Sequence, residues 1–194
     1  MVAVYCSEEL SIQLPLMLKN SPEEYGWLTK ALHWTTALLV IGLFVLGFWM
    51  VELDYYSDWY QTAPFYHESF GILLILILAI RAYWTLTNQS PAALPTHSNL
   101  ERQAAKIIKY LLWGLMLLIV ISGFLISTAD FRAINVFELF DLPPLFEAFD
   151  NQADLAGSVH KWLAYILVGL VMLHVLGAIK HHFIDKDRTL KRML

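Results

Sequence analysis

Cysteine is almost missing: Cys6 is the only one in 194 residues. That excludes a disulfide framework within the chain and thiolate-held iron–sulfur clusters. Charge is thin, at 15% of residues. No phosphate-binding glycine loop, nucleophile triad, internal repeat or low-complexity tract occurs. Residues 1–24 are polar or weakly amphipathic and show no secretory signal pattern. What the chain has in excess is apolar: 58% of residues are hydrophobic, and the mean hydropathy is +0.54. A soluble domain of this length would expose an untenable apolar surface.

Four segments are long enough to cross a bilayer as helices: 28–51, 65–86, 107–128 and 159–179. The alternating pattern of a membrane barrel is absent. The expected fold class is therefore all-α, a polytopic membrane four-helix bundle. The bundle occupies residues 25–182, between an N-terminal segment (1–24) and a basic tail (183–194). Met17 begins a plausible alternative start, which would make residues 1–16 dispensable.

Orientation follows from Lys and Arg. Lys19 and Lys30 lie near the first helix. Arg81, Arg102, Lys106 and Lys109 surround the second-to-third connection. Lys180, Lys186, Arg188, Lys191 and Arg192 fill the tail. Only Arg132 and Lys161 fall on the other side. Both termini are expected in the cytoplasm. The opposite face carries Glu52, Asp54, Asp58, Glu68, Asp130, Glu138, Asp141, Glu147, Asp150 and Asp154 against those two bases. Such a face repels anions and attracts a basic partner, or is simply solvated.

Local signals divide the chain further. Ser21-Pro22-Glu23-Glu24 reads as a helix start, and Pro64 opens the second helix in the same way. Asn88 to Pro91 ends that helix. The long outer loop, Ala129 to Ser158, is acidic but rich in Phe and Leu and is split by Pro143-Pro144. Two short helices resting on the bilayer are expected there. Six tryptophans near helix ends form an ordinary aromatic belt.

The histidines carry the chemistry. His160 and His174 lie fourteen residues apart in one apolar segment. That spacing returns to nearly the same helix face, about 21 Å further along. His67 starts the second segment on the outer side, and His33 lies on the inner side of the first. Depth therefore matches His67 with His160 and His33 with His174. Histidine inside a membrane is costly without a partner. Neutral imidazoles facing each other across a bundle core suit the two axial positions of a haem iron. The pairs are too far apart for a dinuclear centre, and no bridging carboxylates accompany them. Without a Cys-x-x-Cys-His run, any haem would be held non-covalently.

Glycine supports this reading. Gly47 lies fourteen residues after His33, and Gly71 one turn after His67. Each could admit a porphyrin edge; close helix packing is the alternative. Arg81 lies fourteen residues after His67 and could pair with a propionate or a quinone, or simply anchor the helix end. His97, in a polar loop, is expected to be solvated.

His33-Trp34, His67-Glu-Ser-Phe-Gly71, His160-Lys-Trp162, His174 and the tail from His181-His182 through Asp185-Lys-Asp-Arg to Met193 resemble the prokaryotic cytochrome b561 family. The likeness covers roughly residues 20 to 194. It implies a four-helix electron carrier of the inner membrane with two haem b groups. The axial ligands would be His33 and His174 at the inner haem, and His67 and His160 at the outer. Many members carry a histidine where this chain has Lys109. His181 and His182 belong to the family signature without being ligands. The resemblance also implies a membrane quinone as partner. It extends to a periplasmic redox partner, such as a lipocalin-like isoprenoid-binding protein.

The leading expectation is electron transfer between a periplasmic partner and the quinone pool. A second is superoxide oxidation with ubiquinone as acceptor, which the acidic outer face disfavours. A third, from another class, is a haem-free transporter or assembly factor whose histidines handle protons or metal.

Overall fold

The computed structural model describes residues 18–145 and 149–194. Residues 1–16, Phe146 and Glu147 lie outside the described residues. Four long helices dominate: α1 (Trp27–Met50), α2 (Thr62–Thr87), α3 (Asn99–Ser127) and α4 (Gln152–Phe183). Each is long and apolar enough to cross a membrane. Two short strands, β1 (Ile134–Val136) and β2 (Phe140–Leu142), pair antiparallel between α3 and α4. The protein is a four-helix membrane bundle.

The helices outlast their apolar stretches. α3 starts at Asn99 rather than Ile107, because Ser98 and Glu101 form a capping box. α4 starts at Gln152 rather than Val159, with Gln152 Nε2 donating to the Leu125 carbonyl at 2.8 Å. A further expectation is corrected at Ser21. Its hydroxyl accepts from the Glu23 and Glu24 N–H groups at 3.2 and 2.9 Å, but it closes a turn. The helix begins later, at Trp27. The hydroxyl supplies the turn with its bonds and leaves nothing to propagate.

The expected pair of interfacial helices is also corrected. The first half of the outer loop is a β-hairpin. Val136 pairs with Phe140 across a three-residue turn. Phe137 and Glu138 adopt φ of 49° and 59°, a left-handed conformation that costs roughly 1–2 kcal/mol per residue. Docking offsets this. The Phe137 N–H donates to Ser69 Oγ at 3.1 Å, Ser69 Oγ donates to the Asn135 carbonyl, and Phe137 packs edge-on against Phe70. Ser69 is fully buried. The hairpin is thus pinned to α2 two residues from His67.

Close backbone packing is extensive between α3 and α4 and between α1 and α2, and weaker between α2 and α3. α4 has no comparable interface with α1 or α2 among the described residues. The bundle is filled at mid-height by Leu74, Leu78, Met116 and Leu167, with Leu43 and Trp113 against them. Leu167 is midway between His160 and His174 in sequence, so this apolar plug separates two polar levels. The outward faces, such as Leu38 and Val45, are exposed and apolar, as lipid contact requires.

The tail folds back on the end of the bundle where α1 begins and α4 ends, here the terminal end. Trp34 Nε1 donates to the Met193 carbonyl at 2.9 Å, Arg192 donates to the Ala92 carbonyl at 2.9 Å, and Arg188 pairs with Glu24. His97 is not solvated as expected. It is largely buried, with Nε2 3.0 Å from both Asp187 Oδ2 and Thr189 Oγ1. Burial raises the Asp187 carboxyl, but bonds from Thr189 and His97 outweigh this and leave it below its ordinary pKa.

Candidate functional site

Each depth-matched histidine pair is brought together. The ring centres of His33 (α1) and His174 (α4) stand 6.4 Å apart. Those of His67 (α2) and His160 (α4) stand 6.2 Å apart, near the hairpin. The rings cross the gap that separates α4 from α1 and α2. One rigid helix supplies a member of each pair because fourteen residues preserve its face.

The spacing has a chemical reading. With metal–imidazole bonds of about 2 Å and about 1.2 Å from ring nitrogen to ring centre, two imidazoles on opposite sides of one ion stand about 6.4 Å apart. Both pairs match that separation closely. His67 Nδ1 is buried without a hydrogen-bond partner. A buried polar atom left in that state is costly and points to a missing partner.

Hydrogen bonds fix the ring states. His160 Nδ1 lies 3.0 Å from the Ile119 carbonyl and 3.1 Å from Ser122 Oγ. A carbonyl only accepts, so Nδ1 carries the proton and Nε2 keeps a free lone pair. That is the tautomer a metal needs, oriented by a second layer of groups. Ser122 was not singled out from the sequence, and its signal appears only once α3 is known to face α4. At the other level, Arg81 Nη2 stands 3.3 Å from His33 Nδ1, with its guanidinium 5.2 Å from the centre of the Trp113 ring. Guanidinium only donates, so here His33 Nδ1 accepts.

Gly47 makes room for a ligand-type ring. A Cβ there would stand 2.9 Å from His67 Cε1. Gly123, which the sequence did not mark, does the same for His160, with a Cβ 3.2 Å from Cε1. A Cβ on Gly71 would meet nothing within 4 Å, so no protein neighbour demands glycine there.

Beside His33 a cavity of ≈ 130 Å³ opens at the terminal end. Its lining includes Thr29, Arg81, Trp84, Asn88, Lys109, Trp113 and Met193. Two cations and a buried, unpartnered Asn88 amide nitrogen make it suited to an anionic or carbonyl-bearing group. At the opposite end, Arg132 pairs with Glu68 at 3.6 Å, so one of the two bases on that face is engaged by an acid.

Comparison with known proteins identifies the family. Residues 24–194 match the model of the family described as Prokaryotic cytochrome b561. Cytochrome b561 homolog 2 of Escherichia coli is 49% identical over 175 residues, covering 90% of this chain and 93% of that protein. A Yersinia pestis protein named probable superoxide oxidase CybB is 27% identical, over 89% of this chain and 96% of its own. Cytochrome b561 homolog 1 of Escherichia coli is 24% identical, over 84% of this chain and 92% of its own.

Proposed function

Because the chain belongs to the prokaryotic cytochrome b561 family of membrane electron carriers, we propose that its two histidine pairs hold two haem b groups in series. His33 and His174 hold one at the terminal end, and His67 and His160 hold the other beneath the hairpin. The observation that carries this reading is the pair spacing, 6.4 and 6.2 Å, at two levels of one bundle. Haem iron supplies reversible one-electron transfer when bound.

The residues do the rest. His33 with His174 and His67 with His160 would each offer two imidazoles to a haem iron, an arrangement that would favour electron transfer over oxygen binding. Ile119 and Ser122 hold His160 in its ligating tautomer. The apolar plug around Leu74, Met116 and Leu167 keeps water from the space between the two levels. A ring bound through Nε2 carries its proton on Nδ1. Ligation at His33 would therefore release Arg81 from that nitrogen and free it for an acceptor. The neighbouring cavity offers such a place for a propionate or a quinone carbonyl.

The charge distribution supports both termini in the cytoplasm and the hairpin end in the periplasm. The acidic hairpin end would then meet a periplasmic partner with a basic patch, a lipocalin-like isoprenoid carrier among the options. Electrons would pass between that partner and a membrane quinone at the terminal end. Superoxide oxidation is the second reading, favoured by the name of the Yersinia relative. The ten-to-two excess of acids on the hairpin side opposes it by repelling an anion.

A dithionite-reduced minus oxidised visible spectrum, with haem quantified per chain, tests the proposal. Two b-type haems per chain are expected. One would make one histidine pair structural. Colourless protein from haem-replete cells would overturn the reading and promote a haem-free transporter.

A further inference from the structure

A second cluster of ligand-type side chains lies at the terminal end, outside the paired histidines. His97 comes from the connection before α3, His181 from the last turn of α4, and Asp187 from the tail. Asp187 Oδ2 stands 3.0 Å from His97 Nε2 and 3.3 Å from His181 Nδ1, and the three atoms all lie within 4.8 Å of one another. The two rings are tilted with centres 4.4 Å apart. The Asp187 side chain is only 4% exposed.

Hydrogen bonding satisfies His97, whose Nε2 reaches Asp187 Oδ2 and Thr189 Oγ1, but not His181. His181 Nδ1 is buried without an acceptable hydrogen bond, although carboxylate oxygens of Asp185 and Asp187 stand 2.8 and 3.3 Å away. A nitrogen so close to two carboxylates, yet misaligned with both, is placed for a shared cation rather than for a proton. Two imidazoles and one carboxylate are a borderline donor set that suits zinc and its neighbours. Bonds of about 2.0–2.2 Å put the ligand atoms of a tetrahedral site about 3.3–3.6 Å apart. The two separations to Asp187 Oδ2, 3.0 and 3.3 Å, need shifts of only a few tenths of an ångström. The carboxylate is already oriented, because the Thr189 N–H donates to Asp187 Oδ1 at 2.8 Å and leaves Oδ2 to the cluster.

An overlapping group, Glu101, His181 and Asp185, competes on paper. Lys180 occupies it: its ammonium pairs with Glu101 and with Asp185, the latter at 2.8 Å. That charge excludes a second cation there and leaves the fourth position of the first group to water.

We propose that His97, His181 and Asp187 form a zinc site that fastens the tail to the terminal end of the bundle. The same tail carries Met193, which takes the Trp34 hydrogen bond and lines the cavity beside His33. Zinc would therefore hold one wall of that cavity in place. This inference does not depend on the haem assignment.

The test uses full-length protein without a polyhistidine tag, stripped with chelator and dialysed against zinc. Zinc per chain is read by atomic emission, and affinity by competition with a zinc-binding dye. One zinc per chain is expected. His97→Gln and Asp187→Asn should each weaken binding at least about 10-fold, while His182→Gln leaves it unchanged. Far-ultraviolet circular dichroism of each variant checks its fold; should Asp187→Asn fail, His97→Gln decides alone. Wild-type protein that retains no zinc, or folded His97→Gln protein that binds it as tightly as wild type, overturns the proposal.

Discussion

Gly47→Ala separates a ligand site from an ordinary helix contact. The added Cβ would stand 2.9 Å from His67 Cε1 and 3.4 Å from its Nδ1. Carbon atoms settle at about 3.5–4.0 Å, so the ring would have to retreat by roughly 0.6–1.1 Å. An unbound histidine can do this by leaving its rotamer, at about 0.5–1.5 kcal/mol. Alanine returns about 0.5–1 kcal/mol to the helix, so the fold should be nearly unaffected. A ligating histidine has no such freedom, because ligand distances tolerate only about 0.2 Å. Affinity for the haem between His67 and His160 should fall at least 10–100-fold, roughly 1.4–2.8 kcal/mol, the usual effect of disturbing a ligand's support. Haem content should drop from two per chain towards one, with thermal stability of the remaining fold close to wild type. Gly42→Ala, where a Cβ meets nothing within 4 Å, is the control and should keep both. Two haems in Gly47→Ala with an unshifted spectrum would refute the ligand role of His67.

Other outcomes follow from the same geometry. His160→Ala should lose the haem at the hairpin end and keep the other, while His174→Ala does the reverse; loss of one and the same haem in His67→Ala and His174→Ala would break the pairing. Ser122→Ala should keep both haems, because the Ile119 carbonyl still accepts from His160 Nδ1. Its single effect should be a shifted midpoint potential for the haem at the hairpin end, read by redox titration. If the acidic face repels anions, added salt should speed any reduction by superoxide; a near-diffusional rate that salt slows would restore superoxide as the substrate. Reporter fusions at residue 194 and within the hairpin should be active in the cytoplasm and periplasm respectively, and the opposite result would invert the electron path.

The four spans were legible because membrane helices announce themselves by length and apolarity alone. Their ends were not, since α3 and α4 continue through polar turns that no lipid contacts. Ser98 and Glu101 offered a capping signal that could have moved the start of α3 to Asn99. The histidine pairs were legible because fourteen residues is a property of one helix. Gly123 and Ser122 were not, because their roles depend on which helices face each other. The hairpin was hidden for a different reason. Its turn places Phe137 and Glu138 at positive φ, where Asn and Gly are the usual markers. Tertiary docking on Ser69 and Phe70, not local preference, supports it. His97 was misjudged because a tail ninety residues away closes over it.

α4 acts as a gauge whose graduations are whole turns. One residue inserted between His160 and His174 would swing one imidazole about 100° away from the other's face. Seven would restore the face to within about 20° but lift one level by about 10.5 Å, beyond the reach of its fixed mate on α1 or α2. No insertion length satisfies both conditions. The interval from 161 to 173 can therefore vary in composition but not in length. Growth of this protein is confined to its loops, where the hairpin and the tail already stand.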